Sequence, residues 1–120
     1  MYSAQLLDHF QHPRNAGDLP GADAQAEIEN PACGDILRLT LKLGQHERIA
    51  EVGFKAKGCV PSMACASALT ELIKGKTLGE ARLLRREEII AAVGGVPQAS
   101  LHAAQLALDA LGAALNALKL

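Results

Sequence analysis

The stretch "NPACGDILRLTLKLGQHERIAEVGFKAK", residues 30–57, decides the fold. Within it "ILRLTLKL" (36–43) sets Leu37, Leu39, Leu41 and Leu43 on one face, with Arg38, Thr40 and Lys42 on the other. "IAEVGFKAK" (49–57) repeats the pattern, with Ala50, Val52, Phe54 and Ala56 opposing Glu51, Gly53, Lys55 and Lys57. A period of two is that of a strand with one covered face. "GQHER" is short enough to reverse the chain between them. Upstream, "AQAEIE" (24–29) alternates in the same way, ahead of the break "NPACG". Three half-buried strands with short connections predict an antiparallel meander, one face wet and the other covered.

The cover has to come from the flanks, where the period changes to that of helices. "YSAQLLDHFQHPRN" opens the chain with Leu6, Leu7 and Phe10 at helical spacing, Ser3 as cap and Pro13 as stop. After Gly58, Pro61 suits a first helical turn, and "SMACASALTELIK" runs on to Gly75. "TLGEARLL" and "REEIIAAV" read as short helical pieces, with "RLLRREE" (82–88) as a solvated face, and "GGVP" (94–97) as a break. The last segment steps through Leu101, Ala104, Leu108, Leu111, Leu115 and Leu118, a long amphipathic helix. The expectation is an α+β fold, a three-stranded antiparallel sheet covered on one face by helices, in one domain spanning residues 1–120.

Composition narrows the function. Net charge is −1, and the only aromatic residues are Tyr2, Phe10 and Phe54. Nucleic-acid surfaces need dense Lys and Arg or stacking rings, so no nucleic-acid partner is expected. No cationic-then-apolar leader and no apolar run of about 18 residues stand in the chain, so a cytoplasmic protein without a membrane partner is expected. Three cysteines is an odd number for a disulfide framework, in a chain large enough to fold without one. Metal or thiol chemistry is the better reading.

Three places could carry that chemistry. Cys33 and Asp35 lie in the first strand connection, Cys59 lies between the third strand and a helix, and His102 lies near the start of the last helix. In a meander the first connection and the end of the third strand share one edge. Two thiolates, a carboxylate and an imidazole are the donors of a tetrahedral metal site. Cys59, just ahead of a helix, is expected to have its thiol pKa lowered by the helix dipole. Read singly, Cys33 is equally a loop thiol, Asp35 a turn residue, Cys59 a buried strand-end residue and His102 a surface residue. His9, His12 and His46 read as surface or helix-end residues. Cys65 falls on the face of Leu69 and Leu72, a core position.

Three blocks, "LDHFQHPRNAG", "ENPACGDILRLTLK" and "FKAKGCVPSMACAS" followed by "KGKTL", resemble the U-type iron–sulfur cluster assembly scaffolds, the IscU and NifU N-terminal-domain family. The match runs in order over nearly the whole chain. The resemblance implies a scaffold rather than an enzyme. On it, sulfide from a cysteine desulfurase meets iron, and a transient [2Fe–2S] cluster forms for transfer to recipient apo iron–sulfur proteins. It implies working roles for Cys33, Asp35, Cys59 and His102, and a desulfurase-facing surface around Tyr2.

The chain departs from the family at two points. Ala103 stands where the family has its third cysteine, and "GGVPQAS" replaces the Leu-Pro-Pro-Val-Lys motif of chaperone-assisted members. Alanine can neither attack a persulfide nor ligate iron. A Cys₂-His-Asp site would accept Zn²⁺ or iron, and a homodimer would supply thiolates from two chains. Zinc-binding modulation of a desulfurase, or sulfur acceptance by one cysteine, are the alternatives to scaffolding.

Overall fold

The computed structural model describes residues 1–31 and 34–118. Cys33 lies outside the described residues, as do Ala32, Lys119 and Leu120. The strands are β1 (Ala24–Glu29), β2 (Ile36–Leu43) and β3 (Ile49–Lys57), in the order β1-β2-β3. Both pairings are antiparallel. The helices are α1 (Ala4–Gln11), α2 (Val60–Ile73), α3 (Leu78–Arg82), α4 (Arg86–Ala92) and α5 (Leu101–Ala117). α5 lies across β1 and β2, while α2 lies across β3 and against α5. α1 packs on α2. The predicted α+β meander with helices on one face is what the chain forms.

Register corrects one strand. Lys42 pairs with Glu51 but Leu43 pairs with Ile49, so Ala50 is a bulge left without a partner. One extra residue reverses which side chain turns inward. Ile49 is fully buried and Ala50 exposed, against the expected Ala50 face. Beyond the bulge, Val52 and Phe54 face the core as expected.

The second face is only partly wet. Gly17 N–H donates to Phe54 O at 2.7 Å and Phe54 N–H to Asn15 O at 3.1 Å, so residues 15–17 close the free edge of β3. At the other end of β3, Ile49 N–H donates to Lys76 O and Gly75 N–H to Ile49 O. An edge covered at these two points is a poorer template for another strand. The segment then crosses the sheet, where Leu19 N–H donates to Thr40 Oγ1 at 3.2 Å and buries that threonine. Gly53 has no side chain because the Gly17 carbonyl would lie 2.3 Å from its Cβ.

α2 is buried almost all round, because β3, α1, α4 and α5 enclose it. Its Ala64, Ala66, Ser67 and Ala68 are small enough to let those neighbours close in. α5 is turned slightly from the expected stripe. Its inward face carries Ala103, Ala104, Ala107, Ala110 and Ala114 along with Leu106, Leu111 and Leu115. Leu101 and Leu108 are half-buried at the border. Alanines at the centre allow a close helix–sheet approach, with leucines filling the sides.

Two further expectations change. Leu84, inside the stretch read as solvated, is buried. His9 is buried too, at 7% exposure, while Leu7 of the same helix is exposed. His9 Nδ1 lies 2.8 Å from Ser67 Oγ, joining α1 to α2. No helix among the described residues is long and apolar enough to cross a membrane.

Candidate metal centre

The site is built at the edge where the β1–β2 connection meets the end of β3. In that connection Asn30 N–H donates to Asp35 O at 2.8 Å and Gly34 N–H to Asn30 O at 2.7 Å. This turn delivers Asp35 directly before β2. Ile36 pairs with Lys57, so Asp35 comes to lie beside Gly58. Gly58 has φ +151°, and a Cβ there would sit 2.3 Å from Asp35 Oδ1. The missing side chain is the cradle that holds the carboxylate.

Cys59 follows as the N-cap of α2. Its N–H donates to Asp35 Oδ1 at 3.3 Å and its thiol to Asp35 Oδ2 at 3.1 Å. His102 arrives from the opposite side, in the first turn of α5 after the 3₁₀ turn Gln98–Ser100. Its Nε2 lies 3.8 Å from Asp35 Oδ2 and 4.0 Å from Cys59 Sγ. Ligand atoms of all three residues lie within 4.8 Å of one another. Bond lengths near 2.0–2.3 Å put tetrahedral ligands about 3.3–3.8 Å apart. The three donors stand close to that spacing, so small side-chain movements suffice to fit an ion among them.

Asp35 is 4% exposed, while Cys59 and His102 are half-buried, so the site opens to solvent on the thiol and imidazole side. The expected lowering of the Cys59 pKa does not occur. Burial pushes the thiol up and the Asp35 carboxylate adds to this, partly offset by hydrogen bonding from Ser62. Loss of solvation is the largest of these effects. Binding a metal would therefore release the thiol proton.

Asp35, Cys59 and His102 are thus brought together as the sequence reading anticipates, while Cys33, the fourth residue of that reading, lies outside the described residues. Cys65 is fully buried in the core and its thiol is pushed up to about 12 by that burial. Ala103 is likewise in the core, at 1% exposure.

The sequence reading missed Ser62. Its hydroxyl donates to Asp35 Oδ2 at 2.6 Å and lies 3.1 Å from Cys59 Sγ. The signal was present as a polar residue three places after Cys59, where one helical turn returns to the same side. A groove of about 370 Å³ adjoins the site, with Ile28, Pro31, Arg86, His102 and Gln105 in its wall.

A helix-covered three-stranded meander with thiol, carboxylate and imidazole donors at one sheet edge defines the class: a small α+β protein with a candidate mixed-donor metal site. The family model for the NifU-like N terminal domain matches residues 1–119, and the chain belongs to that family. It is 40% identical over 115 residues to the iron–sulfur cluster assembly scaffold protein IscU 1 of Archaeoglobus fulgidus, covering 96% of this chain and 74% of that protein. It is 38% identical over 116 residues to the IscU scaffold protein of Aquifex aeolicus, with the same two coverages. The crystal structure of FiSufU from Fervidobacterium islandicum AW-1 shares the fold, with a TM-score of 0.77 at 24% identity over 95% of this chain and 96% of that one.

Proposed function

We propose that this protein is a scaffold for iron–sulfur cluster assembly, which holds iron and sulfide as cargo while a [2Fe–2S] cluster forms and then releases it. The single observation carrying this reading is the convergence of Asp35, Cys59 and His102 from three separate elements on one solvent-open edge. Membership of the NifU-like N-terminal family supports it. The donor set suits cargo rather than a permanent cofactor. The thiolate gives iron its most covalent bond, and the carboxylate and imidazole are the more readily exchanged ligands. Cys33, four residues after Glu29 at the end of β1 and two before Asp35, supplies the second thiolate in this reading. The protein's own part is to bind, orient and release, which is not an enzymatic role. A cysteine desulfurase supplies the sulfur, recipient apo iron–sulfur proteins take the cluster, and the cytoplasm is the setting.

A second reading has its own observation. The described donors are one sulfur, one nitrogen and one oxygen, ordinary ligands of zinc, and Ala103 adds no thiol to them. A zinc-holding protein that docks on a desulfurase would keep the same geometry and build no cluster.

Anaerobic reconstitution with ferrous iron, cysteine, a desulfurase and a thiol reductant, which turns the persulfide sulfur into sulfide, separates the two. Scaffolding yields a visible chromophore with iron and acid-labile sulfide in equal amounts, lost in Asp35→Ala and His102→Ala. A colourless product that retains zinc supports the second reading and overturns the first.

A further inference from the structure

We propose that Ser62 is a positioning residue for Asp35, holding its carboxylate in the pose that accepts a metal; this rests on the reading of Asp35, Cys59 and His102 as metal-holding. Ser62 is 4% exposed and sits in the first turn of α2. Its hydroxyl is spent on Asp35 Oδ2 at 2.6 Å. The other carboxylate oxygen, Oδ1, takes the Cys59 N–H at 3.3 Å, against the cradle at Gly58. A carboxylate held at both oxygens cannot rotate about its Cβ–Cγ bond. Oδ2 is then held 3.1 Å from Cys59 Sγ and 3.8 Å from His102 Nε2, facing both other donors. A carboxylate oxygen has lone pairs for two partners. Oδ2 accepts here from both the Ser62 hydroxyl and the Cys59 thiol.

The hydroxyl therefore removes rotational freedom that Asp35 would otherwise lose on binding. Hydrogen-bond partners behind a ligating carboxylate typically account for about 10–100-fold in metal affinity.

Co²⁺ binding to the full chain, followed by its visible ligand-field bands and sulfur-to-metal charge transfer, tests this. Ser62→Ala is expected to weaken Co²⁺ binding by about 10–100-fold and to shift the ligand-field bands toward those of Asp35→Ala. In an Asp35→Ala background the same change is expected to alter affinity by no more than about twofold, because a residue acting through Asp35 has nothing left to act on. Ser62→Thr keeps the hydroxyl and is expected to restore binding. Ser67→Ala, at a buried serine of the same helix that serves His9 and Arg14 instead, is expected to leave Co²⁺ affinity unchanged. If Ser62→Thr does not fold, the two-background comparison still decides. Wild-type affinity in Ser62→Ala overturns the role of Ser62 while leaving the metal site standing, and so does an equal loss in both backgrounds. Failure of the unaltered protein to bind Co²⁺ overturns both the metal site and the role of Ser62.

Discussion

His102 and Ala103 are consecutive residues of α5 that face different surroundings: His102 Nε2 lies 3.8 Å from Asp35 Oδ2, whereas Ala103 is packed in the core at 1% exposure. One step along a helix turns a side chain by about 100°, since a turn takes about 3.6 residues. The position where the resemblance expects a third cysteine is therefore buried in this chain, next to a half-buried His102.

Because position 103 is buried, Ala103→Cys is expected not to add a thiolate ligand. The added sulfur enters a close-packed core and costs about 1–3 kcal/mol. Charge-transfer intensity with Co²⁺ and cluster yield are expected to stay at the level of the unaltered protein. A rise in either would show that position 103 can reach the metal.

Gly58 is expected to tolerate no side chain. In Gly58→Ala the new Cβ meets Asp35 Oδ1 at 2.3 Å with the backbone at φ +151°. Such backbone strain costs about 1–3 kcal/mol, read as a lowered denaturant midpoint. Relief of the clash displaces the carboxylate, so Co²⁺ affinity should fall as well. Unchanged affinity would remove the cradle from the account of the site.

The His9 imidazole carries a pH dependence of stability. Burial holds its pKa below the usual histidine value, and nearby Arg14 adds to this against the opposing Glu71 and Asp8. The unfolded chain therefore binds a proton more readily than the folded one. Stability contributed by neutral His9 is complete above the unfolded value near 6.5 and is lost as pH falls through the lower folded value. Thermal melts at pH 7.5, 6.5 and 5.5 should show this loss, reduced in His9→Gln. A slope unaffected by that substitution would assign the effect elsewhere.

Cys65 should be silent toward thiol reagents in the folded protein, being fully buried and pushed up to about 12. Cys65→Ala is expected to leave native thiol reactivity and Co²⁺ affinity as they are, and to lower stability by about 1 kcal/mol through the small void it leaves. A loss of metal binding would make Cys65 part of the site.

Much of this molecule was legible in one dimension. Period-two alternation placed β2 and β3 at residues 36–43 and 49–57, the bounds the structure has. Ser3 and Pro13 bracketed α1 correctly. Asp35, Cys59 and His102 could be nominated together because a meander brings its first connection and last strand end to one edge. These features depend on local periodicity, on turn residues and on the direction of each strand, all of which are carried by neighbouring residues in the chain.

What only the tertiary structure decided depends on contacts between distant segments. The bulge at Ala50 reflects pairing against β2, and it exchanges Ala50 for Ile49 in the core. Thr40 is buried because residues 15–19 cross the sheet, and His9 because α1 docks against Ser67 of α2. The raised pKa of Cys59 reflects desolvation and a carboxylate 24 residues away, neither of which is visible in the local sequence. The sequence by itself nominated the candidate metal donors and the edge where the first strand connection and Cys59 meet. Packing determined that Ser62 stands behind Asp35 and that Ala103 turns inward, because a side chain's surroundings are set by whatever the rest of the chain places against it.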